Sequence, residues 1–359
     1  MAITFYTVDV GHGLCQVIRF SSGRAILIDG GGKIGKRIAE HFLGKYVTQI
    51  VAYVATHNDS DHVGAAPELL NAYGSKSTLQ HIWLLLDRPA KKPAQRDKDV
   101  IPLLGYAQRR EEAGTIAGMY TLYLEDIPGG TAPKVIHDEP AENAQLQLLY
   151  PKVKDVTNSF LRGTPDAEAT NESCAILRLV VGGASSRASV LVTGDANCRG
   201  FTQARQVYGY DLSARVLSIP HHGGHIPRPP GAASWDEVVS WISPEIAVVS
   251  AGYGTVPPTT ITQRAAFAPL QNCGTKICCT QITKHCHPNV DSLHPGVLPP
   301  SGRLYPQMSG HKDYAKAVGC YGTIAIKVDS AGKTSLVDFD RHQREADTKL
   351  AAGATPHCR

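Results

Sequence analysis

Short runs of apolar residues separated by turns fill the first part of the chain. Runs in which apolar and polar residues alternate predict strands, whereas apolar residues spaced three and four apart predict helices. These signals predict strands at 3–10, 14–20, 24–30 and 50–56. They predict helices at 35–46 and 61–74, the second of which ends at Gly74.

The same rhythm returns in the second half. Strands are predicted at 144–150, 173–181, 188–195, 214–220 and 245–252, helices near 199–208 and 234–242, and a closing hairpin at 322–330 and 334–340. Two stretches interrupt the pattern: residues 75–140, with one strand candidate at 79–86, and residues 252–319, which are rich in Pro, Cys and His. The tail beyond Asp340 is polar, and we expect it to fray.

Strands followed by helices occur twice, with strands at both ends of each half. An α/β fold satisfies this order as a four-layer αββα sandwich, in which two sheets pack face to face and helices cover their outer surfaces. We therefore predict one domain over residues 1–340 with insertions near 75–140 and 252–319, followed by a polar C-terminal tail over 341–359.

Composition narrows the class of protein. With 359 residues, of which 42% are apolar, the chain can bury a large core. Its formal net charge of +4 is too small to indicate nucleic acid or membrane binding by itself. We expect a cytoplasmic protein, because no secretory signal pattern or membrane-spanning apolar stretch is present. Nine cysteines, an odd number, argue against a disulfide framework.

The segment HNDSDH, residues 57–62, joins a predicted strand to a predicted helix. Every second side chain of an extended segment points the same way, so His57, Asp59 and Asp61 converge. His62 lies where the helix begins. Imidazole nitrogen and carboxylate oxygen together suit zinc, manganese or iron, so the segment predicts half of a two-metal site.

Two simpler explanations compete with a metal site. The first is a polar turn in which Asp61 caps the helix. Two His/Asp pairs at one strand-to-helix junction favour the metal over that turn. The second is a calcium loop, which we exclude because Val63 and Leu70 fall where such a loop needs oxygen ligands.

Two later strands end in the same kinds of residue. Asp195 ends one predicted strand, and it is the type of carboxylate that bridges two metal ions. His221 and His222 follow the next predicted strand. These strand ends predict further metal ligands, while the alternative for the adjacent histidines is a solvated loop.

These motifs resemble a known family. THNDSDH (56–62) resembles the HxDxDH variant of the metallo-β-lactamase signature, with Asp59 where most members carry a second histidine. Combined with LVTGDA and IPHHGG, it is similar to the hydrolase domain of ComEC-type competence proteins. The opening FYTVDVGHGLCQVIRF and AILIDGGG agree, with Asp29 as the first-motif aspartate. The resemblance implies a sandwich of metallo-β-lactamase type.

The resemblance also implies two divalent metal ions, zinc or manganese. The family's ligand positions carry over to His57, Asp59, Asp61, His62, Asp195 and either His221 or His222. The family's third-motif histidine has no match here, and Asn171 lies in that neighbourhood.

Such a site implies a mechanism. Two bound cations lower the pKa of a bridging water from about 15.7 to about 7 and so supply hydroxide at neutral pH. Asp61 would hold a metal and orient this hydroxide, Asp195 would bridge, and whichever of His221 and His222 is not a ligand would protonate the leaving oxygen. ComEC-like domains are associated with DNA degradation. The resemblance therefore implies a phosphodiesterase or nuclease that cleaves DNA, in antiviral defence or DNA processing.

Substrate and partners follow from the same hypothesis. A basic patch is predicted to contact the phosphate backbone, although an ordinary solvated loop explains it equally well: Arg88, Lys91, Lys92, Arg96 and Lys98. A free nuclease endangers its host, so we expect a regulatory protein partner and no membrane. Two alternatives stay open. One is hydrolysis of a small phosphodiester or cyclic nucleotide, and the other is a catalytically silent, metal-stabilised scaffold.

Two remaining motifs are weaker. GGGKIGKR (30–37) fits a phosphate-binding loop except at Arg37, which replaces the Ser or Thr that binds magnesium. We favour glycines that let the chain turn tightly beneath the metal site. The Cys/His-rich segment 273–287 lacks a C-x-x-C pair, so an ordinary insertion is favoured over a structural zinc site. A redox-sensitive or crosslinking loop is the third interpretation.

Overall fold

The secondary structure below comes from a computed structural model. It describes residues 2–33, 35–74, 79–85, 97–124, 132–156, 173–183, 188–252, 263–283, 286 and 319–349. The strands among these residues are β1 (Ile3–Thr7), β2 (Gln16–Arg19), β3 (Arg24–Ile28), β4 (Gln49–Val54), β5 (His81–Leu84), β6 (Gly118–Thr121), β7 (Lys134–Glu139), β8 (Ala144–Tyr150), β9 (Ile176–Val181), β10 (Ala188–Val192), β11 (Ala214–Ser218), β12 (Ile246–Val249), β13 (Lys276–Cys279), β14 (Ile324–Val328) and β15 (Thr334–Leu336).

Helices connect most of the parallel strands. The α-helices are α1 (Lys36–Tyr46), α2 (Ser60–Val63), α3 (Ala66–Gly74), α4 (Asp97–Glu112), α5 (Cys198–Thr202), α6 (Trp235–Ile242), α7 (Arg264–Asn272) and α8 (Phe339–Lys349). A π-helical turn, Gln203–Val207, continues α5, and short 3₁₀ turns occupy Pro140–Glu142 and His221–Gly223. No helix of the described ranges combines the length and the apolar character needed to cross a membrane.

The strands form two mixed sheets. The first has the order β15-β14-β1-β2-β3-β4-β5-β6, and the second has the order β13-β12-β11-β10-β9-β8-β7. Strands β3 to β6 are parallel to one another, as are β10 to β13, whereas the remaining neighbours are antiparallel. The carboxyl ends of the parallel strands therefore collect along one edge of each sheet.

Alternating side chains bury both faces of the first sheet. On β3, Ile26 and Ile28 join the large apolar core that also contains the strands of the second sheet. Their neighbours Ala25 and Leu27 join a second core, which α1 and α3 cover from outside. Strands that are apolar on both faces must be covered on both faces, and this requirement produces layers. The predicted four-layer αββα sandwich is confirmed.

The predicted helix at 61–74 is interrupted. The N–H of Ala65 donates to the carbonyl of Gly31 at 3.0 Å, outside the helix, so α2 ends and α3 begins anew at Ala66. The periodicity of apolar residues does not show this break, because it results from a contact with a distant loop.

The two irregular stretches contribute to the sheets. The first, residues 75–140, supplies α4 and the edge strands β6 and β7, one to each sheet. The second, residues 252–319, supplies α7 and the edge strand β13. Short edge strands carry a weak apolar pattern, so the sequence did not reveal them.

The expected fraying beyond Asp340 is wrong over the first residues of the tail. These residues form α8, whose His342 and Ala346 side chains are buried. Helix α8 crosses the predicted boundary between the domain 1–340 and the tail 341–359, and that division stays a prediction.

Packing between the sheets predicts that two Val→Ala substitutions differ in their effect on the free energy of unfolding. Val190 is fully buried on β10, whereas Val135 on β7 is 43% exposed. We expect Val190→Ala to lower the free energy of unfolding by about 1–3 kcal/mol, because it leaves a cavity in the core. Val135→Ala should change it by less than about 0.5 kcal/mol. Urea unfolding measures both, and equal losses would contradict the assignment of β10 to the interior.

Candidate metal centre

Functional side chains meet where the parallel strands end. Asp29 follows β3, residues 57–62 follow β4, Asp195 follows β10 and His222 follows β11. His12 lies in the loop between β1 and β2. Ligand sites in α/β sheets occur at the carboxyl ends of strands, where loops from several strands converge. The two sheets thus bring distant parts of the chain to one place.

One buried cluster consists of His57, His62 and Asp195. The Nε2 atom of His62 lies 3.2 Å from Asp195 Oδ1, and the Nε2 atom of His57 lies 3.8 Å from Asp195 Oδ2. Asp59 borders this cluster, with its Oδ2 atom 3.8 Å from His57 Nε2. Two imidazoles and a carboxylate at these separations form a candidate metal position.

A second cluster consists of His12, Asp61 and His222. The Nε2 atoms of both histidines lie 3.2 Å from Asp61 Oδ2. His222 Nε2 also lies 3.8 Å from Asp195 Oδ1, so the second cluster adjoins the first. Asp195 therefore stands between two candidate metal positions.

Asp29 orients the histidines of the first cluster. Its carboxylate accepts hydrogen bonds from His62 Nδ1 at 2.8 Å, from the Thr56 N–H at 2.8 Å and from the Thr56 hydroxyl at 2.7 Å. Because that hydroxyl donates to Asp29, its oxygen is free to accept from His57 Nδ1, 3.2 Å away. Both Nδ1 atoms then carry protons, and both Nε2 atoms face the cluster.

Ser250 orients His222 in the same way. The Ser250 carbonyl accepts a hydrogen bond from His222 Nδ1 at 3.0 Å. The Ser250 hydroxyl donates to the carbonyl of Gly13 at 2.6 Å, beside His12. One residue after β12 therefore fixes an imidazole of the second cluster and the loop that carries the other imidazole.

Several buried atoms of the clusters lack a hydrogen bond within the part of the chain that the structure describes. They are the Nε2 atoms of His57, His62 and His222 and the Oδ1 atom of Asp195. Unsatisfied buried polar atoms are rare, so such a group requires an explanation. Burial, together with the neighbouring His62, lowers the pKa of His57 and favours its neutral form. Neutral imidazole nitrogens and carboxylate oxygens are the donors that divalent transition metals prefer, and the donor set fits.

Opposite charges dominate the electrostatics of the site. Burial alone would lower the pKa of His62, but the carboxylates of Asp195 and Asp29 outweigh it and raise the pKa well above its usual range. Burial would likewise raise the pKa of Asp61, yet the imidazoles of His12 and His222, each 3.2 Å from its Oδ2 atom, hold that pKa well below its usual range. Protons thus occupy the place that cations would take, and metal binding must displace them.

A buried carboxyl group holds the loop that carries His12. Asp9 accepts a hydrogen bond from Gln281 Nε2 at 2.7 Å, and its backbone N–H donates to the Thr323 hydroxyl at 3.1 Å. Burial raises the pKa of Asp9 from 3.8 to about 7, although the bonds from Gln281 and the backbone of Gly11 oppose this shift.

Three site residues adopt strained backbone conformations. Asp29, His221 and His222 have φ values of 54°, 51° and 54°, in the left-handed region that L-residues rarely occupy. Such conformations persist only where the surroundings impose them, and they concentrate at functional sites. Here the turn directs His222 into the cluster, while His221 Nδ1 contacts the carbonyl of His225 at 2.6 Å.

Most of the predicted site residues lie together. The structure brings together His57, Asp59, Asp61, His62, Asp195 and His222. His221 belongs to neither cluster. Sequence reasoning missed His12 as a member of the site. The pattern that could have indicated it is a histidine that follows a predicted strand and is flanked by two glycines.

Other motifs have different outcomes. Gly30 approaches the backbone of Ala66 so closely that a Cβ atom would lie 3.1 Å from the Ala66 nitrogen, in agreement with a tight turn beneath the site. Among the described residues, no cysteine of the segment 273–287 joins a candidate metal cluster. Several predicted residues lie outside the described residues: Asn171, Arg88, Lys91, Lys92, Arg96 and the side chain of Lys98.

Comparisons with known proteins agree with this architecture. Residues 8–140 match the family model of the metallo-beta-lactamase superfamily. The competence protein ComA of Neisseria gonorrhoeae is 36% identical over 96 residues, which cover 26% of this chain and only 12% of ComA.

Three solved structures are among those similar to this chain. The metallo-beta-lactamase fold protein YhfI from Bacillus subtilis is 12% identical to this chain. The alignment covers 77% of this chain and 96% of YhfI, with a TM-score of 0.44. Tm1679, a metal-dependent hydrolase, is 15% identical, with 78% and 96% covered and a TM-score of 0.42. The short form of human tRNase Z is 14% identical, with 70% and 92% covered and a TM-score of 0.39.

The fold is the metallo-β-lactamase fold, and the chain resembles the ComEC-type hydrolases, as the motifs predicted. The class of function that this fold and these clusters carry is metal-dependent hydrolysis.

The hydrogen bonds of Asp29 predict an effect on metal binding. Asp29→Asn should weaken zinc binding by about 10- to 100-fold, because the amide places an N–H against the donors that the carboxylate accepts. Competition with a chromophoric chelator measures this affinity. Asp138→Asn, the same change at an exposed position on β7, is the control. Equal affinities of the two variants would show that Asp29 does not orient the ligands.

The raised pKa of Asp9 predicts a pH dependence of stability in the metal-free protein. Between about pH 4 and 7 the unfolded carboxyl group is ionised while the folded group keeps its proton. The free energy of unfolding therefore falls as pH rises through this window, and Asp9→Asn removes that loss. Urea unfolding at pH 5 and pH 8 should show the variant gaining stability relative to wild type at the higher pH. A difference that is independent of pH would contradict the shift.

Proposed function

We propose that the protein is a metal-dependent phosphodiesterase, most specifically a nuclease that cleaves DNA, with zinc or manganese as its metal. The observation that carries this proposal is the pair of adjoining His/Asp clusters around Asp195. Two neighbouring cations stabilise both the attacking and the leaving oxygen of an in-line displacement at phosphorus. A paired centre therefore suits phosphodiester hydrolysis.

The ligand types support an anionic substrate. Asp59 stands at the position where most metallo-β-lactamase signatures have histidine, and it joins Asp61 and Asp195 beside the candidate metal positions. Carboxylates are harder ligands than imidazole, and they suit manganese as well as zinc. Cations held there would present positive charge to a phosphate group.

DNA is proposed as the substrate on the strength of the resemblance. The relative ComA is named a competence protein, and the chain is 36% identical to it over 96 aligned residues. Because the match spans 12% of ComA, the activity of the whole relative does not transfer directly. The proposal therefore concerns the reaction of this region alone.

The described side chains divide the work of such a reaction. Bound divalent cations would supply Lewis acidity, which activates water and neutralises charge on phosphoryl oxygens. Asp61, whose Oδ2 atom lies 3.2 Å from the Nε2 atoms of His12 and His222, would orient the attacking water, and Asp195 lies between the two positions. His222 belongs to the ligand cluster, which leaves His221 as the proposed donor to the leaving oxygen. His221 Nδ1 donates to the His225 carbonyl, so the imidazolium form would carry the transferable proton on Nε2 and keep the Nδ1 proton after the transfer.

A cleavage assay tests the proposal. Wild type, Asp61→Asn and the exposed control Asp138→Asn would each meet end-labelled single- and double-stranded DNA with manganese or zinc, with and without chelator. We expect cleavage by wild type and the control, abolished by chelator and reduced at least about 100-fold in Asp61→Asn, which removes a ligand rather than a supporting contact.

Other outcomes distinguish the alternatives. If the protein hydrolyses a cyclic nucleotide or a small chromogenic diester but does not cleave DNA, the proposed substrate becomes a small phosphodiester. Metal binding without turnover of either substrate would reject the enzyme and favour the metal-stabilised scaffold.

A further inference from the structure

We propose that His12 is a metal ligand, which completes the second position together with Asp61 and His222. This inference rests on the proposed metal centre and deepens it, because it adds a ligand to the positions that the resemblance carries over. His12 comes from the first loop of the chain. The carried-over motifs supply the other ligands, which are His57, Asp59, Asp61, His62, Asp195 and His222.

The distances suit coordination. The Nε2 atoms of His12 and His222 each lie 3.2 Å from Asp61 Oδ2, and the three donor atoms lie within 4.8 Å of one another. A tetrahedral zinc ion with bonds of about 2.0–2.1 Å holds its donor atoms about 3.3 Å apart. The imidazole rings of His12 and His222 face the same carboxylate with their centroids 4.9 Å apart. Three protein ligands leave one position open, as catalytic zinc sites require.

The loop of His12 is held in place from several directions. Gly252 packs directly against it, since a Cβ atom at Gly252 would lie 2.1 Å from the His12 nitrogen. The N–H of Leu14 donates to the carbonyl of Asp61 at 3.1 Å, and the Ser250 hydroxyl donates to Gly13. A backbone bond therefore joins the loop to Asp61, and the Ser250 hydroxyl joins it to the residue whose carbonyl holds His222. Such preorganisation distinguishes a ligand from a histidine that only happens to lie nearby.

The position of His12 also explains how the site can lack one family ligand. The family's third-motif histidine has no match in the sequence. His12 supplies an imidazole from the loop between β1 and β2. The side chains of His12 and Asp61 are each 26% exposed, so this second position lies at the mouth of the site. A substrate would reach this position first.

Metal titration of the whole chain tests the inference. Chelator-stripped wild type, His12→Gln and His41→Gln would be titrated with zinc against a chromophoric chelator and separately loaded with cobalt(II). His41 is an exposed histidine on α1, so its variant is the matched control. We expect His12→Gln to bind one of two zinc ions at least about tenfold more weakly and to change the visible cobalt spectrum. The control should match wild type, and His12→Glu, which keeps a donor atom, should recover part of the affinity.

The outcomes separate this inference from the proposed nuclease. Unchanged zinc affinity and an unchanged cobalt spectrum in His12→Gln overturn the inference, even if DNA cleavage is lost, since His12 would then contact substrate instead. Weakened binding in His12→Gln with no DNA cleavage by wild type supports the ligand and rejects the nuclease. A thermal melt that matches wild type shows that His12→Gln is folded. If zinc binding is weakened in His12→Gln and His12→Glu does not recover part of it, the loss is assigned to altered structure and the inference is overturned.

Discussion

The buried carboxylate of Asp29 is the constraint on which the site depends. It accepts three hydrogen bonds, two from Thr56 and one from His62, and the Thr56 hydroxyl extends this network to His57. Because Asp29 follows β3 and Thr56 follows β4, the same bonds join the ends of two parallel strands. A single anionic group thus sets both the strand ends and the orientation of two imidazoles. Its left-handed backbone is a local cost that these bonds offset.

The clusters place an unusual burden on the fold. Imidazoles and carboxylates are buried together, and several of their polar atoms lack hydrogen bonds among the described residues. Burying such groups is unfavourable unless opposite charges or cations compensate. In the metal-free protein, His62 and Asp195 compensate each other as a charged pair. Metal binding to the folded chain would replace that pair, so the affinity for metal and the stability that bound metal adds must be coupled, and both must weaken in acid.

Sequence patterns identified those features whose causes are local. Strand β8 coincides with its predicted segment 144–150. The segment 57–62 revealed four members of the site because they crowd into one strand-to-helix junction, although Asp61 and His62 lie on α2 and not in an extended segment. Long-range causes were not visible. The break after α2 depends on Gly31, and the choice of His222 over its neighbour depends on a turn and on Ser250. His12 was missed because no second histidine lies near it in the sequence.

The topology explains why such a distant residue can join the centre. Strands β1 and β3 run in the same direction, since each is antiparallel to β2, so the loop after β1 emerges at the same edge as Asp29. Strand β12 of the other sheet ends one residue before Ser250, which bonds that loop and orients His222. The two sheets are therefore linked across the site itself. A ligand set drawn from both sheets can close only when the sandwich is assembled, which makes the intact fold a condition for metal binding.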